Sequence, residues 1–263
     1  MPNNEAVQAV RDNPDALLAC ILDMGEVLIA SGAEIVRVED TVTRICKAYG
    51  FVKTDVFSIT SSIVITAQCP DERVITQTRR ITNRSTNLER VAQVNALSRK
   101  VCQNPLSVAE FRERIANIRN GKSYHPAVLY ISYAIISACF SVFFGGTAWD
   151  ALAASLSGIW VFMVQQYLGK LKMNGVLYSL IASALTALVV VLLVRCGIGE
   201  NPEMINIGNI MLLIPGVGFT TALRDLTNGD TLSGLVGLSE SVIKAIAIAI
   251  GFAVVLVGIG GIL

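Results

Sequence analysis

The sequence has a single histidine, His125, in 263 residues. A Ser-His-Asp or Cys-His hydrolase would have to be built on that one imidazole. His125 stands at the start of a long apolar run, far in sequence from any serine in a strained turn, and reads as an interfacial residue. No G-x-S-x-G, H-E-x-x-H or P-loop pattern occurs. Cys20, Cys46, Cys69, Cys102, Cys139 and Cys196 are scattered without C-x-x-C spacing. That leaves no zinc site and fits buried, reduced thiols. No catalytic residue, metal ligand or cofactor is expected. Charge is also scarce, at 16% of residues, against about 25% in soluble domains. The net charge of +1 provides no concentrated basic surface, so nucleic acid is not an expected partner. The N-terminal stretch "MPNNEAVQAVRDNPDALL" lacks a basic region followed by an apolar core. No signal peptide is expected there.

What the chain has is apolar length. It is 53% hydrophobic, with a mean hydropathy of +0.59, which points to a membrane protein. The charge is unevenly spread. Residues 1–125 hold 16 of the 21 Lys and Arg and 14 of the 20 Asp and Glu. The expected fold is a mainly α membrane protein in two parts. A cytoplasmic α+β domain covers 1–124, and a transmembrane domain covers 125–263.

Five apolar segments are each long enough to cross a hydrocarbon core of about 20 residues. They lie at about 126–144, 151–168, 175–194, 205–223 and 242–263. Only helices satisfy their own backbone there, so all five are expected as helices. The loop at 145–150 has no Lys or Arg, and the next has Lys170 and Lys172. Arg195 stands alone in its loop, and the loop near 224–244 has Arg224 and Lys244. The positive-inside rule then places the N-terminus in the cytoplasm and the C-terminus outside. Ala245, Ala249 and Ala253 recur every four residues, as do Ala154 and Gly158. Such ridges let helices approach closely, within the chain or against a partner subunit.

The polar part reads as helices at Asp15–Ser31 and Ala33–Tyr49, with Ser31 or Gly32 as a candidate cap and Gly50 as the stop. The runs "DVFSIT", "SIVITAQ" and "ERVITQT" read as three strands. Asn87–Cys102 and Val108–Asn120 return to helical period, with Ser107 a candidate cap. Glu34, Arg37, Asp40 and Arg44 fall on one helical stripe, with Glu39 beside it. This is either a solvated face of weak ion pairs or a polar site at the mouth of a transport path.

Within the apolar part, Asn206 and Asn209 lie in the fourth span, and Gln165 and Gln166 late in the second. Polar residues at membrane depth usually face protein or water. Pro215 removes a helix hydrogen bond near the middle of the fourth span, and Gly216 follows it. Interrupted helices of this kind often form transporter substrate sites; a simple kink is the alternative.

Three stretches carry a resemblance: "GAEIVRVEDTVTRICKAYG" at 32–50, "NLERVAQVNALSRKV" at 87–101 and "IPGVGFTTALRDLTNGDTLSG" at 214–234. Together they resemble the threonine/serine exporter family, in its short, split form, over nearly the whole chain. The resemblance implies a cytoplasmic domain followed by five transmembrane helices, in a bacterial-type plasma membrane. It implies a second five-helix subunit as partner, inserted upside down relative to this one, as inverted repeats are. The implied substrates are threonine, serine or succinate. The motif positions are Gly32, Arg37, Glu39, Pro215, Gly216, Arg224, Asp225 and Asp230. Arg224 would attract a substrate carboxylate, and Asp225 or Asp230 would balance it or carry a proton. A membrane-anchored enzyme or regulator, with residues 1–124 as its active part, is the alternative. A homo-oligomer also remains open.

Overall fold

The structure is a computed structural model, which describes residues 10, 12–82, 84–121, 124–171 and 173–260. Lys172, counted above among the basic loop residues, falls outside these, as does the end of the fifth span, 261–263. The chain divides into two compact units. One holds residues up to 122 together with Val217–Leu238, and the other holds 123–216 and 239–263.

In the first unit, helix α1 (Pro14–Ala30) starts where the Asn13 side chain accepts from Ala16 N at 3.0 Å, with Pro14 in the first turn. Ser31 closes α1 and does not open the next helix. Gly32 takes a left-handed φ of 89°, a backbone shape that glycine adopts without strain. Ala33 and Glu34 stay outside the helix, so α2 (Ile35–Tyr49) begins two residues later than its periodicity suggests. Gly50, left-handed at φ 99°, ends it.

Strands β1 (Lys53–Ile59), β2 (Ser62–Gln68) and β3 (Val74–Arg80) form an antiparallel sheet in that order. Alternation along β2 buries Ile63, Ile65 and Ala67. A Cβ on Gly25 would come within 2.8 Å of the Ile63 side chain, so α1 lies directly on the central strand. Helices α3 (Leu88–Gln103) and α4 (Val108–Arg119) complete this core; Ser107 caps α4 as expected, and Asn87, expected inside α3, caps it instead. Tyr49 donates to Leu106 O at 2.9 Å and stacks on Phe111.

The second unit contains α5 (Pro126–Phe143), α6 (Ala148–Leu168, followed by a 3-10 turn to Leu171), α7 (Gly175–Arg195) and α8 (Pro202–Leu213). His125 caps α5, its Nδ1 accepting from Ala127 N at 3.3 Å. Helix α6 starts three residues before the expected 151 because Thr147 and Asp150 form a capping box. The fourth span, expected as one helix over 205–223, is divided. Pro215 has no N–H to continue α8, Ile214 turns to φ −59°, ψ 131°, and α9 (Gly216–Thr227) starts anew. The last helix, α10 (Thr231–Gly260), begins eleven residues before the expected 242. Its first turns pack back on α9: a Cβ on Gly237 would meet that of Ala222 at 3.0 Å.

Among the described residues, four helices are long and apolar enough to cross a membrane: α5, α6 with its 3-10 turn, α7 and α10. The broken pair α8–α9 makes a fifth if it is counted as one span. The Ala154–Gly158 ridge is used within the unit. A Cβ on Gly158 would stand 2.7 Å from Tyr133 O of α5, and Ala154 is fully buried. Ala245, Ala249 and Ala253 lie on an exposed face of α10.

Candidate functional site

The first unit brings two sequence-distant motifs to one pocket. Gly32, Ala33, Glu34, Arg37 and Val38 come from the turn before α2 and its first turns. Val217, Thr220, Thr221 and Arg224 come from one face of α9, at helical spacing. Leu28 of α1 and Leu88, Val91 and Asn95 of α3 close it, around a volume of about 300 Å³.

Glu34 sits at the centre of the charges. One of its oxygens accepts from Arg224 Nη1, and the other pairs with Arg37 Nε at 3.2 Å. The Glu34 side chain is only 14% exposed, whereas those of Arg37 and Arg224 are 71% and 59% exposed. Beside them, the buried Asp225 accepts from Ile35 N at 3.3 Å. Glu34 occupies the N-cap position of α2 but makes no side-chain capping bond. Asp225 does that work from 190 positions away, where a carboxylate also suits the positive end of the helix dipole. Asp225 lies past Leu223, where the apolar run ends. Burial is the main reason its pKa rises to about 6, helped by the nearby Asp230 and Glu34 carboxylates; the Ile35 amide and Arg84 pull the other way.

Glu39 and Asp230 stand apart from this pocket. Glu39 Oε1 accepts from Ser58 N at 2.7 Å and from Ser58 Oγ at 2.8 Å, tying α2 to β1. Asp230 immediately precedes α10, with Ser233 Oγ at 3.5 Å, and follows the Gly229 turn at φ 92°.

The second unit has its own polar cluster. Asn209 of α8 donates to Ser157 Oγ of α6 at 2.8 Å and to Ile205 O at 3.0 Å, and accepts from Ser137 Oγ of α5 at 3.0 Å. All three side chains are fully buried. One helical turn earlier, Asn206 is 3% exposed, and neither atom of its amide has a hydrogen-bond partner. Gln165 accepts from Tyr133 Oη at 2.7 Å. Pro215 and Gly216 form the break itself. At the opposite end from Gly175 and Lys244, which lie close together, Asp150 accepts from Glu200 N at 2.7 Å and Asn201 N at 2.8 Å. It thereby ties the start of α6 to the start of α8.

Of the residues singled out in the sequence, the structure brings Gly32, Glu34, Arg37 and Arg224 to one pocket, with Asp225 beside it. Sequence reasoning missed Asn95, Thr220 and Thr221 of the pocket and Ser137 and Ser157 of the cluster. Thr220 and Thr221 stand four and three residues before Arg224, a spacing that puts them on its face. Nothing in the sequence marks the two serines beyond their lying in apolar helices. Among the described residues, no group of His, Cys, Asp or Glu could hold a metal ion.

A family model described as "Putative threonine/serine exporter" matches residues 19–258. The chain belongs to the threonine/serine exporter family. Among curated exporters and transporters it is 23% identical to "Probable succinate transporter subunit YjjP" of Klebsiella aerogenes, over 93% of this chain and 95% of that one. The protein of the same name in Escherichia coli is 22% identical over 90% and 92%. "Probable threonine/serine exporter" of Mycobacterium tuberculosis is 22% identical over 92% of this chain but only 46% of its own length. No solved structure matches the chain. The family and these relatives are transporters, not enzymes, and the apolar helices fit a multi-pass membrane protein.

Proposed function

We propose that the chain is one subunit of a secondary exporter of a small amino or dicarboxylic acid, of the threonine/serine or succinate kind, working with a second five-helix subunit. The observation that carries the reading is the broken α8–α9 segment in a member of an exporter family. It has buried polar groups on one side of the break and a two-arginine pocket on the other. Interrupted helices with free backbone and polar side chains are a common form of transporter site. In this reading Asn206 and Asn209 line the path, and its unsatisfied amide makes Asn206 the residue that water or substrate would meet. Pro215 and Gly216 supply the hinge, Arg224 attracts the substrate carboxylate, and Asp225 or Asp230 balances that charge or carries a proton.

The partner is supported by relatives named as subunits and by the mycobacterial relative, which is about twice as long as the part matched here. The exposed Ala245–Ala249–Ala253 ridge suits a partner helix. The orientation is supported by Lys244 lying near the start of α7 while Asp150 marks the other end. In this reading the polar unit lies in the cytoplasm and the chain in the plasma membrane. Cells in which the gene is deleted, loaded with labelled threonine, serine or succinate, should release at least one of these acids several-fold more slowly. Unchanged release of all three would overturn the proposal.

A further inference from the structure

The pocket of the first unit contains a carboxylate already. Glu34 is the least exposed of the three charged groups and gives one oxygen to each guanidinium. A guanidinium carries five N–H donors, so two of them far exceed what one carboxylate can accept. The two guanidiniums and one carboxylate leave the lining one positive charge in excess, with Asn95, Thr220 and Thr221 as neutral polar groups. Glu34 also has no second task to hold it there. It makes no capping bond to α2, since Asp225 accepts from Ile35 N instead. Its side chain can leave without uncapping the helix.

We propose that this pocket is a carboxylate-exchange site, in which the carboxylate of a small acid displaces Glu34 from Arg224 and Arg37. The chemistry fixes the ligand class. With Glu34 in place one of the two positive charges is neutralised. With Glu34 turned out, two guanidiniums match a dicarboxylate. Bidentate pairing to Arg224 replaces the internal ion pair, while Asp225 keeps α9 tied to Ile35 N. The inference rests on the exporter reading only for which acids are natural; the exchange is a binding event and needs no transport.

The test is binding to the purified full chain in detergent, without a partner, using succinate, acetate and L-serine as probes. Glu34→Gln removes the internal competitor and raises the lining from one to two excess positive charges. Succinate should bind about tenfold more tightly to this variant than to the unaltered chain, and acetate should gain less. The double variant Glu34→Gln/Arg224→Ala should lose the gain. Thermal unfolding of each variant shows whether the fold is kept, and Glu34→Ser serves as a second neutral replacement if Gln impairs it. Unchanged or weaker succinate binding in both neutral variants would overturn the exchange. So would loss of L-serine binding alone, since Glu34 would then be holding the substrate ammonium. Binding as expected with no efflux from cells or vesicles would instead count against the exporter reading and leave the exchange site standing.

Discussion

Arg224 and Asp225 are neighbours in sequence with different work. Arg224 reaches Glu34 across the pocket, while Asp225 is buried against the first amide of α2. Replacing Arg224 by Ala should abolish export while membrane abundance stays near that of the unaltered chain. A parallel fall in abundance, read on an immunoblot of membranes, would make the arginine a folding element. Arg224→Lys should keep the abundance and recover little export, because an ammonium cannot pair bidentately. Asp225 offers a pH test. Its folded pKa of about 6 lies above the ordinary carboxylate value. The folded chain therefore holds a proton that the unfolded chain has released, and stability falls as pH rises from about 4 to 6. Asp225→Asn keeps an oxygen for Ile35 N and carries no charge. It should unfold a few degrees higher at pH 7 and show a flatter stability profile between pH 4 and 7. An unchanged profile would contradict the assigned burial cost.

At the scale of elements, the break and the close crossings decide the geometry. Pro215→Ala restores an N–H and should favour a continuous α8–α9 helix. Export should fall severalfold with the protein still inserted; full export would show that the break is only a kink. Asn209→Ala removes three hydrogen bonds inside the membrane unit. At about 0.6 kcal/mol per bond in such settings, roughly 2 kcal/mol should be lost, visible in thermal unfolding in detergent. The elements were unevenly legible in the sequence. Helix α7 was plain because a long apolar run from Gly175 ends at Arg195. The sheet was plain because β2 alternates strictly. Helix α10 starts well before its apolar run, in a stretch that holds Gly234 and Gly237. They are needed there so that α10 can lie against Ala222 and Leu226 of α9. The start of α2 was misplaced for a related reason: its cap comes from Asp225, and no local pattern records a cap that arrives from elsewhere in the chain.

For the whole molecule, the pocket is the feature that the sequence held in pieces. The resemblance marked Gly32 and Arg37 in one stretch and Arg224 in another. Periodicity could not say that they meet, because the contact spans 190 positions and depends on α9 leaving the line of α8. The serine–asparagine cluster was half legible: an asparagine stands out in an apolar helix, while a serine that bonds across a helix interface looks like one that bonds to its own backbone. The central claim is transport by a pair of subunits. Its most direct measurement is efflux from proteoliposomes loaded with labelled threonine, serine or succinate, holding this chain alone, its five-helix partner alone, or both. The account predicts release of at least one acid well above empty liposomes only when both are present, and its loss with Arg224→Ala. Release no faster than from empty liposomes for all three acids with both subunits present would contradict it.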